Sequence, residues 1–177
     1  MKKLFPLLLF IVLLSACSAA PTQQTLSTFT EDIDDFVFTR YRTDLKSSKE
    51  VPSYELITIT TYQELLDYYE AEKDVYNLEE SYFSNTDPFK TLADSLSSAY
   101  FESNHLVIFV MEEPSGSHRH ELEDVFVEDG ILTIHLERLR ASIGTADMAN
   151  WHLVLQVPHA SSDIDDIEYT ITTVTKN

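Results

Sequence analysis

The sequence is poor in cysteine, glycine and basic residues, and each scarcity excludes a class of function. Cys17 is the single cysteine, so the chain forms no internal disulfide and no thiolate metal cluster. The glycines Gly116, Gly130 and Gly144 are dispersed, and no glycine-rich nucleotide loop is present. Acidic residues number 30 against 12 basic ones, which gives a net charge of −18. We therefore expect no nucleic acid partner and no cofactor.

Residues 1–17 have the layout that is typical of an export signal. Lys2 and Lys3 precede an apolar core that spans residues 4–14, too short to cross a bilayer core that needs roughly 20 residues. The core ends in Leu-Ser-Ala-Cys, with Cys17 last, and this motif resembles a bacterial lipobox. The resemblance implies cleavage after Ala16 and attachment of acyl chains such as palmitate to Cys17, since two or more chains anchor a protein stably. The alternative is a plain secretory signal that ends near a cysteine.

These features define three segments. Residues 1–16 are the expected signal peptide, residues 17–30 the lipidated cysteine and a small, polar tether, and residues 31–177 a single domain. Removal of the signal peptide leaves ten basic and 30 acidic residues, a net charge of −20. We expect the protein at the extracytoplasmic face of the cell membrane, which it contacts through its N-terminal lipid, with an envelope protein as its partner.

The first half of the domain predicts two strands followed by two helices. Aromatic and β-branched residues predict strands at 36–41 and 54–60. Thr61 and Glu64 have the spacing of a capping box, which predicts a helix over residues 62–73. Asp87 and Pro88 predict the cap and first turn of a second helix. The apolar run at 105–111 then predicts a central strand covered on both faces.

The second half predicts a hairpin and two further strands. Asp129-Gly130 lies between alternating segments and favours a two-residue type I′ turn. In that register Glu128 is opposite Ile131, and Glu121 is opposite Arg138 as a cross-strand charge pair. Strands are also expected at 151–157 and 167–174. The predicted fold class is α+β, a mainly antiparallel β-sheet with two helices inserted between the second and third strands.

Residues 106–157 contain a series of short motifs beyond the signal. It consists of Glu-Glu-Pro-Ser-Gly-Ser at 112–117, His-Glu at 120–121, Asp-Gly at 129–130, Gly-Thr-Ala-Asp-Met-Ala at 144–149 and Trp-His at 151–152. This pattern resembles uncharacterised lipoproteins of Gram-positive bacteria. More distantly it is similar to the C-terminal domain of protease-complex-stabilising (PrcB-like) lipoproteins. The resemblance implies a β-rich extracytoplasmic module and brings no catalytic residues with it.

Three histidines suggest a metal site. His118 and His120 alternate on one strand face, and the predicted hairpin places His135 on the same face opposite Asp124. Three imidazoles could bind a metal ion, but His135 lies roughly 13 Å along the strand from His120. Surface histidines on a polar sheet face are the alternative interpretation, and we favour it.

Asp147, Trp151 and His152 form a tighter cluster in the sequence. An aspartate could orient an imidazole for acid–base chemistry, or the three could bind a ligand beside the indole. The alternative is a structural loop in which Asp147 caps backbone amides and Trp151 fills the edge of the core. The sequence contains no complete set of catalytic residues.

We therefore expect a membrane-anchored binding or accessory module for an envelope protein or ligand. The alternative is an envelope enzyme or metal-binding protein that uses His118/His120 or Asp147/His152.

Overall fold

The computed structural model describes residues 36–46, 51–84, 86–158 and 164–176. The expected signal peptide, Cys17 and the tether lie outside these residues. Within them the chain forms seven strands, two α-helices and a 3₁₀ turn. In chain order these are β1 (Val37–Arg42), β2 (Tyr54–Ile59), α1 (Tyr62–Glu72), α2 (Phe89–Ser95), the 3₁₀ turn (Tyr100–Glu102), β3 (Asn104–Glu113), β4 (Arg119–Glu128), β5 (Ile131–Ala141), β6 (Ala149–Pro158) and β7 (Asp166–Lys176).

The strands form two sheets. Four antiparallel strands have the order β1-β6-β3-β2, and three strands have the order β4-β5-β7. β7 runs parallel to β5, because β6, which lies between them in the chain, crosses to the other sheet and reverses the direction. The α+β class and the dominance of sheet are confirmed.

The four-stranded sheet separates two apolar cores. One core packs Leu106, Ile108 and Val110 of β3 against the two helices. The other packs Val107, Phe109 and Met111 of the same strand against the three-stranded sheet. Helices, four strands and three strands therefore form three layers. The prediction of a central strand covered on both faces is confirmed, since all six of these side chains are at most 2% exposed.

Local sequence signals explain α1 well and α2 less well. The hydroxyl of Thr61 accepts from the backbone of Glu64, whose carboxylate accepts from the backbone of Thr61, so the capping box is confirmed. The prediction for the start of α2 is wrong by one residue. Pro88 itself is the N-cap, because its ψ of 161° is extended, and no side chain caps this helix. No helix in the described ranges is long and apolar enough to cross a membrane.

The β4–β5 hairpin confirms the predicted turn but not the whole register. Asp129 and Gly130 have φ values of 51° and 80°, as a type I′ turn requires. Pairing follows the prediction from the turn to Asp124 opposite His135, and then shifts at a bulge between Leu122 and Asp124. A bulge puts one extra residue into one strand and moves all later side chains to the other face. Glu121 therefore lies opposite Glu137, and the predicted pair with Arg138 is wrong.

The two ends of the sheets carry different connections between strands. We call the end that carries the Pro114–Ser117 turn and the 142–148 loop the loop pole, and the end that carries Asp129-Gly130 the hairpin pole. β1 begins at the hairpin pole, where Val37 pairs with Gln156, and ends at the loop pole, where Arg42 pairs with Trp151. The chain therefore enters the described fold at the pole opposite the two loops.

Candidate functional site

A buried glutamate lies at the loop pole. The inward stripe of β3 runs Val107, Phe109, Met111 and then Glu113, which is 0% exposed. Its Oε2 is 2.8 Å from Nδ1 of His118, and its Oε1 is 2.9 Å from Nε2 of His120. The same Oε1 also accepts from Nε of Arg138 at 2.8 Å. Three donors thus compensate a carboxylate that burial alone would strongly destabilise.

The balance of these effects keeps Glu113 ionised. Burial by itself raises the pKa of Glu113, but the hydrogen bonds from His120 and His118 and the charge of Arg138 lower it to about 2. Because an ionised carboxylate only accepts, we assign the donor hydrogens to Nδ1 of His118 and Nε2 of His120. In neutral His118, Nε2 then carries the free lone pair.

Glu113 and His118 border a cleft of about 720 Å³ at the loop pole. The inward stripe of β5 leads into it: Leu132, Ile134 and Leu136 are fully buried, Arg138 is partly exposed, and Arg140 is exposed. Both arginines line the cleft together with Ser142, Thr173 and Thr175, which carry hydroxyl groups. The interface between the two sheets is therefore apolar inside and charged at its mouth.

The two loops that flank the cleft hold each other. The Oγ atoms of Ser115 and Ser117 lie 3.2 and 3.1 Å from Oγ1 of Thr145. The backbone amide of Gly116 donates to the carbonyl of Asp147 at 2.9 Å. A Cβ on Gly116 would collide with Nη1 of Arg42 and lie 2.5 Å from Oδ2 of Asp147. The segments 112–117 and 144–149 therefore meet in space.

Asp147 is bound to Arg42 rather than to an imidazole. Nη2 of Arg42 donates to Oδ2 of Asp147 at 2.7 Å, and its Nε donates to Asp44. The hydroxyl of Thr145 and the guanidinium of Arg42 lower the pKa of Asp147 to about 2. This aspartate thus ties the 142–148 loop to the end of β1.

Trp151 and His152 point to opposite faces of the sheet because they are neighbours on one strand. Trp151 is 2% exposed in the core between the sheets, with Arg119 5.5 Å from its ring. His152 is 0% exposed on the helix side. The three residues Asp147, Trp151 and His152 do not line one cavity, and a ligand-binding role for them stays a prediction.

Both ring nitrogens of His152 are engaged. Nδ1 lies 2.6 Å from the hydroxyl of Thr43, and Nε2 lies 2.7 Å from the hydroxyl of Tyr68. Tyr76 and Phe89 pack edge-on against the ring. Burial lowers the pKa of His152 to about 3, so the imidazole is neutral. Asp147 does not orient this histidine.

The three histidines of the metal hypothesis are separated. His118 and His120 are 8% and 0% exposed, so their interpretation as surface residues is wrong. The bulge moves His118 and His120 to the inner face, whereas His135 stays on the outer face, where it packs against Phe126. Among the residues that the structure describes, no three His, Cys, Asp or Glu side chains are arranged to hold a metal ion.

Sequence reasoning missed Glu113, Arg138 and Arg140 as members of a site. Glu113 appeared only within the Glu-Glu-Pro-Ser-Gly-Ser motif at 112–117, and Arg138 as the partner of Glu121. The sequence did contain a signal, because alternate residues of a strand share one face. Glu113 follows the odd-numbered buried residues of β3, and both arginines follow the even-numbered buried residues of β5.

No protein family, no curated protein and no solved structure shows a significant match to the chain.

Proposed function

We propose that the protein is a membrane-anchored extracytoplasmic lipoprotein, and that its domain is a binding or accessory module for an envelope protein or ligand with the loop pole as its binding face. The observation that supports this proposal is that the start of β1 and the cleft lie at opposite poles of the domain. The chain enters at the hairpin pole, whereas the cleft and the buried Glu113 network lie at the loop pole. Strands of ten residues separate the poles by about 30 Å. An anchor upstream of β1 would thus leave the cleft facing away from its attachment.

The anchor is tested by the single cysteine. Cys17→Ala removes the acceptor of the lipid, so we expect the variant to leave the membrane fraction during a carbonate wash while the unaltered protein stays. A variant that remains in the membrane fraction would contradict lipid anchoring at Cys17.

The binding face is tested by crosslinking on intact cells. A photoreactive residue at Ile143, which is 87% exposed at the loop pole, should capture a specific partner. The same residue at Glu128, exposed beside the hairpin turn, is the matched control and should capture none. Equal capture from both positions, or none from either in several growth conditions, would contradict the proposal.

An envelope enzyme is the second candidate, favoured by the pair of Glu113 and His118. A carboxylate that holds Nδ1–H of an imidazole leaves Nε2 as a base beside a cleft, the arrangement of general acid–base catalysis. His118→Gln should abolish any turnover found in a panel of hydrolysable substrates, whereas His135→Gln, on the outer face, should preserve it. Turnover that survives His118→Gln, or a panel without turnover, removes this candidate. Metal analysis of the purified protein separates a metal-assisted version.

A further inference from the structure

We infer that the cleft at the loop pole binds a small ligand through its carboxylate or phosphate group, held by the guanidinium groups of Arg138 and Arg140. The inference rests on the proposed function, since it names the class of ligand for the same binding face. Carboxylate and phosphate share the chemistry that matters here, an oxyanion that accepts several hydrogen bonds from a guanidinium fork.

The first argument is the number of unused donors. Arg138 donates only from Nε, to Glu113. Neither of its Nη atoms donates a hydrogen bond within the described part of the chain. Arg140 is exposed and has no carboxylate within ion-pair distance among the described residues. Alternate residues of a strand share a face and lie about 7 Å apart. Both guanidinium groups can therefore reach one anion.

Hydroxyl groups on the neighbouring strand extend this donor surface. The parallel register of β5 and β7 places Thr173 beside Arg138 and Thr175 beside Arg140. Both threonines line the cleft, as does Ser142. Arginine forks with adjacent hydroxyl groups are a common setting for oxyanions because each group donates without adding negative charge.

The nearby carboxylates do not compete for the arginines. Glu113 already accepts from three donors. Glu112 also borders the cleft, but it forms no ion pair with Arg138 or Arg140, and its charge contributes to the raised pKa of Tyr76 on the helix side of the sheet. In a chain with 30 acidic residues, acids to neutralise Arg140 are abundant, yet none of the described ones is placed to do so.

The size of the cleft sets the size of the ligand. A volume of about 720 Å³ falls within the range of pockets for small molecules and exceeds what a single inorganic anion fills. The oxyanion is thus one end of a larger molecule, and inorganic phosphate and acetate are probes for that end alone. We expect both probes to bind weakly, in the millimolar range.

The test uses the five arginines as reporters. These are Arg40, Arg42, Arg119, Arg138 and Arg140. The full chain, purified in detergent with ¹⁵N-labelled arginine, gives five Nε–H resonances, which are followed as inorganic phosphate or acetate is added at constant ionic strength. The resonances of Arg138 and Arg140 should move and saturate, while those of Arg40 and Arg42 stay. Stronger binding of one probe decides between phosphate and carboxylate as the natural group.

Three variants sharpen the result. Arg140→Gln should weaken binding about tenfold, and its unfolding midpoint should be unchanged because Arg140 makes no contact with an acid in the described part of the chain. Arg140→Lys keeps the charge but loses the fork, so it should bind with intermediate affinity. Lys90→Gln, which removes one positive charge from α2, is the matched control and should bind like the unaltered protein.

Each outcome has a separate meaning. Absence of movement at Arg138 and Arg140, or parallel movement of all five resonances as expected for general charge screening, would overturn the oxyanion site. Capture of a partner from Ile143 together with such a negative titration would mean that the binding face is correct and the ligand class is wrong. Anion binding without any captured partner would leave the oxyanion site standing and remove an envelope protein as its occupant.

Discussion

Both faces of the four-stranded sheet bury histidine side chains at the loop pole, but the groups that bind the buried imidazoles differ between the two faces. On the helix side His152 lies among aromatic rings with two hydroxyl partners, and burial lowers its pKa to about 3. On the side of the second sheet His118 and His120 bind the ionised carboxylate of Glu113. One face thus holds a neutral ring in a sealed core, and the other holds a charged network beside a cleft.

The difference shows what makes a buried polar group useful for binding. His152 has no free nitrogen and no exposed area, so its hydrogen bonds serve to hold α1 and the segment that follows β1 against the sheet. Glu113 is equally buried, yet its donors Arg138 and His118 reach the cleft. A network that ends at a cleft can transmit its charge and geometry to a ligand, whereas a sealed one stabilises only the fold.

Replacement of Glu113 should have the largest effect on this comparison. Glu113→Gln removes the negative charge that Arg138 and two histidines share, and breaking a buried charged network costs about 3–5 kcal/mol of unfolding free energy. Chemical denaturation measures this loss. Glu112→Gln, at the next position on the opposite face, is the control and should cost less than about 1 kcal/mol. Equal losses in the two variants would contradict a special role for the Glu113 network.

The neutral histidine predicts a pH dependence of stability. The pKa of His152 is about 3 in the folded protein against 6.5 for the free side chain, so the unfolded chain binds more protons between these values and stability falls as the pH falls. Between pH 6.5 and 4.5 this amounts to about 2–3 kcal/mol. His152→Gln should remove that slope in denaturation curves recorded across this range. A slope that is unchanged in the variant would show that another group causes it.

The cleft side depends on loop contacts that the helix side does not need. Gly116→Ala would place a methyl group against Arg42 and Asp147, and we expect it to cost about 1–2 kcal/mol in unfolding free energy. Gly144→Ala meets only the side chain of Ser115, with Oγ at 3.0 Å and Cβ at 3.5 Å, and should cost less. A larger loss for Gly144→Ala would mean that the packing of the two loops differs from that described.

Removal of Arg138 should have the smallest effect. Arg138→Gln leaves Glu113 with two histidine donors, so we expect a loss of about 1 kcal/mol. Because the charge of Arg138 helps to lower the pKa of Glu113, the folded-state pKa should rise toward the ordinary value of 4.5. Stability is then lost at higher pH during acid titration, and the acid-unfolding midpoint, followed by circular dichroism, should move upward. A midpoint that moves downward would contradict this role.

The parts of the fold that local signals govern were predictable. The capping box of Thr61 and Glu64 and the turn at Asp129-Gly130 depend on contacts within a few residues. The extra residue at Glu123 carries no such signal, since both alternations around it remain acceptable. It nevertheless moved Glu121 away from Arg138 and put His120 on the inner face, away from His135. The two histidine partners of Glu113 were therefore placed by a feature that residue patterns do not specify.

The sequence by itself determined the α+β class, the strands and helices, and the expectation of a lipid anchor at Cys17, because these depend on periodicity, turn residues and short motifs. Only the tertiary structure decided the rest. It put Trp151 and His152 into different cores and joined Glu113 to His118, His120 and Arg138. The physical reason is that the partners of a buried charge come from strands far apart in the chain, and sheet order and register alone determine which of them meet.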